Sequence, residues 1–197
     1  FDFFQILGDN FYDQDGRISR SIWSDKVSQT VKSKVLYTVP GNHDIYVGGS
    51  PSVMDEFDQY GWGQMQYYAV DTVAASDTSL FVQDSNRKPS AMDDGDHFKN
   101  EPRNFITWSK IGSIGFVTFS GAGLTNQTSF EDSKKYFSEA CEYFSDVGAD
   151  AVFVLGHYDS DETAYDHALS APEAREYMSK LGGCDEMGDS LKYIDGH

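Results

Sequence analysis

Val35-Leu36-Tyr37-Thr38-Val39-Pro40-Gly41-Asn42-His43-Asp44 decides how this chain is read. Five residues suited to a strand run into Pro and Gly, which punctuate local structure and end it. An amide, an imidazole and a carboxylate follow at once. Moving outward, the same design recurs: Phe3–Leu7 runs into Gly8-Asp9, Ala151–Leu155 into Gly156-His157, and Leu191–Ile194 into Asp195-Gly196-His197. Ile114–Phe119 is a further strand, stopped by Gly121-Ala122-Gly123. Helical spacing of apolar residues falls between these runs. Ile18, Ile22, Trp23, Val27 and Val31 predict a helix over 18–31. Phe130, Lys134, Phe137, Cys141 and Phe144 form the stripe of a helix over 129–147, and 173–181 reads as another. In open α/β sheets ligands bind beyond the carboxyl ends of strands, where loops converge. Asp9, Asn42, His157 and His197 are therefore expected at one site.

The length of 197 residues suits a single domain over 1–197, and 39% hydrophobic residues suffice to close a core. Residues 71–104, rich in Ser and Asp, interrupt the alternation and are expected to be a surface insertion or flap, with a small hairpin near 80–83. His97 within it is given no role. The 32 acidic residues outnumber 15 basic ones, a formal charge of −17. That balance implies a self-repelling, soluble surface and argues against nucleic acid, which needs clustered Lys and Arg to neutralise phosphates. No apolar run approaches the roughly 18–20 residues of a membrane span. Cys141 and Cys184 allow one disulfide without requiring it, and Asn126-Gln127-Thr128 is a glycosylation triplet if the chain is secreted. Together they lean towards the secretory route.

The donor types at the strand ends suit transition metals. Carboxylate, imidazole and amide oxygen together fit Zn, Fe and Mn, whereas Mg and Ca favour oxygen alone. A carboxylate such as Asp9 has two oxygens and can bridge two cations, which together can activate a water and neutralise a phosphate ester. The run Asp13-Gln14-Asp15-Gly16 hints at an EF-hand, but placing Gly16 sixth in the loop puts Phe11 first and Ile22 twelfth, where carboxylates are needed. That reading fails.

Gly8-Asp9-Asn10-Phe11-Tyr12, Gly41-Asn42-His43-Asp44, Gly156-His157-Tyr158 and Gly196-His197 resemble, in order, successive blocks of the calcineurin-like metallophosphoesterases. Tyr12, three residues after Asp9, resembles the tyrosinate ligand of purple acid phosphatases, and the small, tartrate-resistant-like type is the nearest match. The resemblance implies a four-layer α/β/β/α sandwich, with two mixed β-sheets face to face and helices outside. It implies two metal ions, Fe(III) with Fe(II), Zn(II) or Mn(II). Asp9 would bridge them, Tyr12 would bind the ferric ion, and Asn42, His157 and His197 would hold the divalent one. His43 would bind phosphate and protonate the leaving oxygen, and His167 would be a further pocket histidine.

The implied activity is hydrolysis of small phosphate monoesters by a metal-bound hydroxide, in a secreted, vacuolar or lysosomal protein. The alternatives are a phosphodiesterase or nucleotide hydrolase, from which Tyr12 argues away, and an inactive relative serving as a binding or structural subunit. The family's first Asp block and the second His of its closing Gly-His-x-His block, both expected at the ferric ion, have no counterpart within these 197 residues. The expectation is a domain lacking its first strand and its C-terminal end, with an incomplete ferric site.

Overall fold

The computed structural model describes residues 3–10, 25–46, 105–122, 130–159 and 169–197. Within them the order is β1 (Phe3–Leu7), α1 (Gln29–Lys32), β2 (Val35–Val39), α2 (Asn42–Ile45), β3 (Ile106–Ile111), β4 (Ile114–Phe119), α3 (Phe130–Asp146), β5 (Ala151–Leu155), α4 (Ala171–Met178), a 3₁₀ segment (Asp185–Ser190) and β6 (Leu191–Ile194). β1 and β2 pair in parallel, Phe3 opposite Val35 through Leu7 opposite Val39. The second sheet has the order β3-β4-β5-β6. β3 and β4 are antiparallel, whereas β4, β5 and β6 run parallel.

Alternation along the strands divides the second sheet's side chains between two faces. Val117, Phe119, Val152 and Val154 point back to the helices, where Tyr136, Phe137, Ala140, Cys141 and Phe144 of α3 and Ala171, Ala174 and Met178 of α4 close the main core. Burying each such Phe or Met contributes about 1.5–3 kcal/mol. Phe116 and Leu155 point forward and meet Tyr37 and Val39 of β2, with Phe3 and Leu7 of β1 packed alongside. Rings knit this interface: Tyr37 stacks on Phe116 at 4.6 Å, and Phe3 meets Phe116 edge-on at 4.9 Å. The Tyr37 hydroxyl and Ser109 Oγ, 2.7 Å apart, add a hydrogen bond from one sheet to the other. The molecule is an α/β sandwich in which two sheets face each other and helices cover the second. The helical layer expected beyond the first sheet, the hairpin near 80–83 and the flap over 71–104 lie outside the described residues, as does Asn126.

Several details differ from expectation. The helix expected over 18–31 does not continue to its end. Ser28 is extended (φ −66°, ψ 155°) and caps a separate short helix, its side chain accepting from the Val31 N–H. Strand β3 was not anticipated; it closes a hairpin with β4 through Gly112-Ser113, where Gly112 supplies the positive φ of 60°. On α3, Tyr136 and Ala140 complete the buried face. Lys134 instead pairs with Glu131 beside it and lies 6.0 Å from the Tyr177 ring. Helix α4 begins two residues before the expected position, because Ser170 and Glu173 form a capping box and Pro172 sits in the first turn. Cys141 and Cys184 form a buried disulfide, tying α3 to the segment that leads into β6. Among the described residues no helix is long and apolar enough to cross a membrane.

Candidate metal centre

The carboxyl ends of β1, β2, β5 and β6 converge. Parallel pairing puts Leu7 beside Val39, and Leu155 beside Ile194, so the residues after each strand emerge on one side. Gly8 takes φ +97°, and a Cβ there would stand 2.1 Å from His157 Nδ1. Only glycine permits that approach. Asp9 follows at φ 56°, the left-handed region that Asp tolerates better than most residues and that clusters at functional sites. At the end of β2, a Cβ on Gly41 would lie 2.3 Å from Asp9 Oδ1 and 3.0 Å from His157 Nε2. The glycines written before the candidate ligands are thus what lets the two sheets bring their ends together.

His157 is the best-defined member. It is 2% exposed, and its Nδ1 lies 2.6 Å from the Leu7 carbonyl oxygen. That acceptor calls for the proton on Nδ1, which leaves the lone pair on Nε2. Nε2 is buried, makes no hydrogen bond and stands 3.3 Å from Asp9 Oδ2, a charge contact rather than an aligned bond. Burial presses the His157 pKa down, but the Asp9 carboxylate, the Leu7 carbonyl and the charge of Asp44 outweigh it and raise it above the ordinary histidine value. The pocket favours positive charge.

His197 completes a triad. Its backbone N–H donates to the His157 carbonyl at 2.7 Å, and its ring stands edge-on to the His157 ring with centroids 4.7 Å apart. One donor atom each from Asp9, His157 and His197 lie within 4.8 Å of one another. Donors about 2.1 Å from one ion in a tetrahedral site stand about 3.4 Å apart, which is the spacing of the Asp9–His157 pair at 3.3 Å. A buried imidazole nitrogen whose partner ring nitrogen is held by a carbonyl is also how metal-bound histidines are usually oriented. The residues present fit a metal ion.

Asn42 is buried at the first position of α2, between Gly41 and His43, which both approach Asp9. The His43 N–H donates to Asp9 Oδ1 at 3.1 Å, while its half-buried ring lies 6.4 Å from that of Tyr46. Tyr12 and His167 lie outside the described residues. Two further residues of the centre had no assigned role in the sequence. Asp44 Oδ2 accepts from the Gly41 N–H and from Asn10 Nδ2, each at 2.8 Å. Tyr158, fully buried, packs against both histidine rings at 4.9 and 5.2 Å. Both stand inside blocks already singled out, but sequence alone names no partner for them.

The family model for calcineurin-like phosphoesterases matches residues 1–193. Neither the curated proteins nor the solved structures yield a significant match. With the match spanning nearly all of its length, the chain belongs to the calcineurin-like phosphoesterase family, whose members hydrolyse phosphoesters with metal ions, typically two.

Proposed function

We propose that this chain is the body of an acid phosphatase of the purple type, which hydrolyses small phosphate monoesters at a centre of two metals, Fe(III) with Fe(II), Zn(II) or Mn(II). The observation that carries the proposal is the meeting of Asp9, from the first sheet, with His157 and His197, from the second. Asp9, Asn42, His157 and His197 would hold the divalent ion, and Asp9 and Tyr12 would hold the ferric one. When bound, such a pair supplies an activated water and neutralises the charge of the phosphoryl group.

The chain's own residues do the rest. The Leu7 carbonyl fixes the His157 ring so that its lone pair faces the centre. The His43 N–H takes up Asp9 Oδ1, which directs Oδ2 towards His157. The His43 imidazole would bind the phosphate and give a proton to the leaving oxygen. Tyr12 favours the monoesterase reading over a phosphodiesterase by resemblance. The Cys141–Cys184 disulfide and the Asn126 triplet support a secreted, vacuolar or lysosomal protein.

The test is metal analysis, a visible spectrum and parallel assays of monoester and diester substrates on the purified protein. The expected result is iron with a second metal, a tyrosinate-to-iron band that Tyr12→Phe abolishes, and preference for monoesters. His157→Ala should cost at least ~100-fold in metal affinity, beyond the 10–100-fold typical of outer-shell changes. An iron-free, colourless protein without activity would overturn the reading in favour of a binding or structural subunit, and a preference for diesters would overturn the monoesterase.

A further inference from the structure

Four hydrogen bonds surround the turn after β1 and the turn after β2. Asn10 Nδ2 donates to Asp44 Oδ2 at 2.8 Å and reaches the Val39 carbonyl at 3.4 Å. The His43 N–H donates to Asp9 Oδ1 at 3.1 Å, and the Gly41 N–H to Asp44 Oδ2 at 2.8 Å. One oxygen of Asp44 therefore takes bonds from both turns. Asp44 is 6% exposed, too buried to act as an ordinary surface cap. Gly41 has no side chain with which to complete a capping box, and the carboxylate of Asp44 holds the Gly41 N–H. That bond sets the Gly41 backbone, which packs so closely on Asp9 that no Cβ fits between them.

We infer that Asp44 is a positioning residue of the metal centre: through Asn10 and the Gly41 N–H it locks the Asp9 turn to the Asn42 turn and so fixes the distance between two candidate ligands. Asp44 need not touch the ion. Its role is carried by its place between the turns, where one acceptor atom governs the aim of the Asp9 carboxylate and the start of the helix bearing Asn42. The inference rests on the metal-centre reading above.

The full chain and the variants Asp44→Ala, Asp44→Asn and Asn10→Ala test it, beside one control variant. Each is stripped with chelator and titrated with Zn(II) alone, with binding read by calorimetry and stability by thermal unfolding of the apo form. Asp44→Ala should lower Zn(II) affinity by about 10–100-fold. Asp44→Asn keeps an oxygen able to accept both bonds and should stay within about threefold of the parent, the rescue a purely electrostatic role would not give. Asn10→Ala removes one arm and should fall between them, and it carries the test if Asp44→Ala does not fold. Ser28→Ala, which uncaps α1 ahead of Val35 and so at the end of β2 away from the site, controls for destabilisation and should leave affinity unchanged. If the parent chain fails to bind Zn(II), the metal-centre reading itself falls. If the parent binds and the folded Asp44→Ala and Asn10→Ala variants bind equally well, the positioning role is overturned while the site stands.

Discussion

The two sheets are anchored by different means. Behind the second, Phe137, Ala140, Cys141, Phe144, Val152 and Val154 are fully buried, and a disulfide adds a covalent tie. The first has no comparable backing among the described residues: every position of β1 is only half-buried. It is joined to its neighbour through Phe3, Tyr37 and Phe116, one hydroxyl pair and the turns of the metal centre. The second sheet is a platform, and the first is placed upon it. The candidate ligands come from both.

The largest expected difference comes from emptying each core. Phe137→Ala should cost about 3–5 kcal/mol, because it leaves a cavity in dense packing. Phe3→Ala, from a half-buried site, should cost about 1–2 kcal/mol. Denaturant unfolding monitored by fluorescence measures both, and equal losses would erase the contrast. Next, removing the disulfide by Cys141→Ser with Cys184→Ser should cost about 2–4 kcal/mol, since it frees a long loop in the unfolded chain. The sequence separation is 43 residues. A Zn(II) affinity unchanged in the surviving folded protein would place that loss in the platform alone.

Gly8→Ala should cost about 1–3 kcal/mol from the left-handed backbone, and the added methyl must also displace the His157 ring. Metal binding should fall more than stability does; a variant with normal affinity would contradict the packing described here. The smallest effect concerns the seam between the sheets. Burial raises the Tyr37 pKa above 10, with the Ser109 hydrogen bond opposing it. The neutral phenol is the folded form, so its contribution is full below about pH 10 and is lost as pH rises through the folded value. Tyr37→Phe should cost about 1 kcal/mol at neutral pH and flatten the alkaline limb of a stability–pH curve. An alkaline limb identical to that of the parent would show that Tyr37 does not govern it.

Strands β1, β2, β4, β5 and β6 were legible to the residue because each is an apolar run closed by Gly, Pro or a polar turn. Strand β3 was not. Its Thr107, Ser109 and Lys110 dilute the apolar pattern, and it follows directly on the irregular stretch 71–104. The break at Ser28 was also hidden, because Val27 and Val31 kept helical spacing across it while Ser28 acted locally as a cap. At the site, Asp9, His157 and His197 could be read because a ligand type after a strand-end glycine is a local signal. The roles of Asn10 and Asp44 could not, because hydrogen bonds between residues 34 apart leave no mark on spacing. Whether Cys141 meets Cys184 was likewise a matter of three-dimensional approach, here 5.2 Å between Cα atoms.

The bond from His157 to the Leu7 carbonyl has a mechanical consequence. It already stitches a strand of one sheet to a ligand of the other, and an ion gripped by Asp9 and His157 would add a second stitch at the same place. Loading the cofactor then doubles as the final clasp of the fold, since whatever binds only the native form stabilises it. The turns such a clasp would hold are those after β1 and β5, where the Gly8 backbone already lies against the His157 ring.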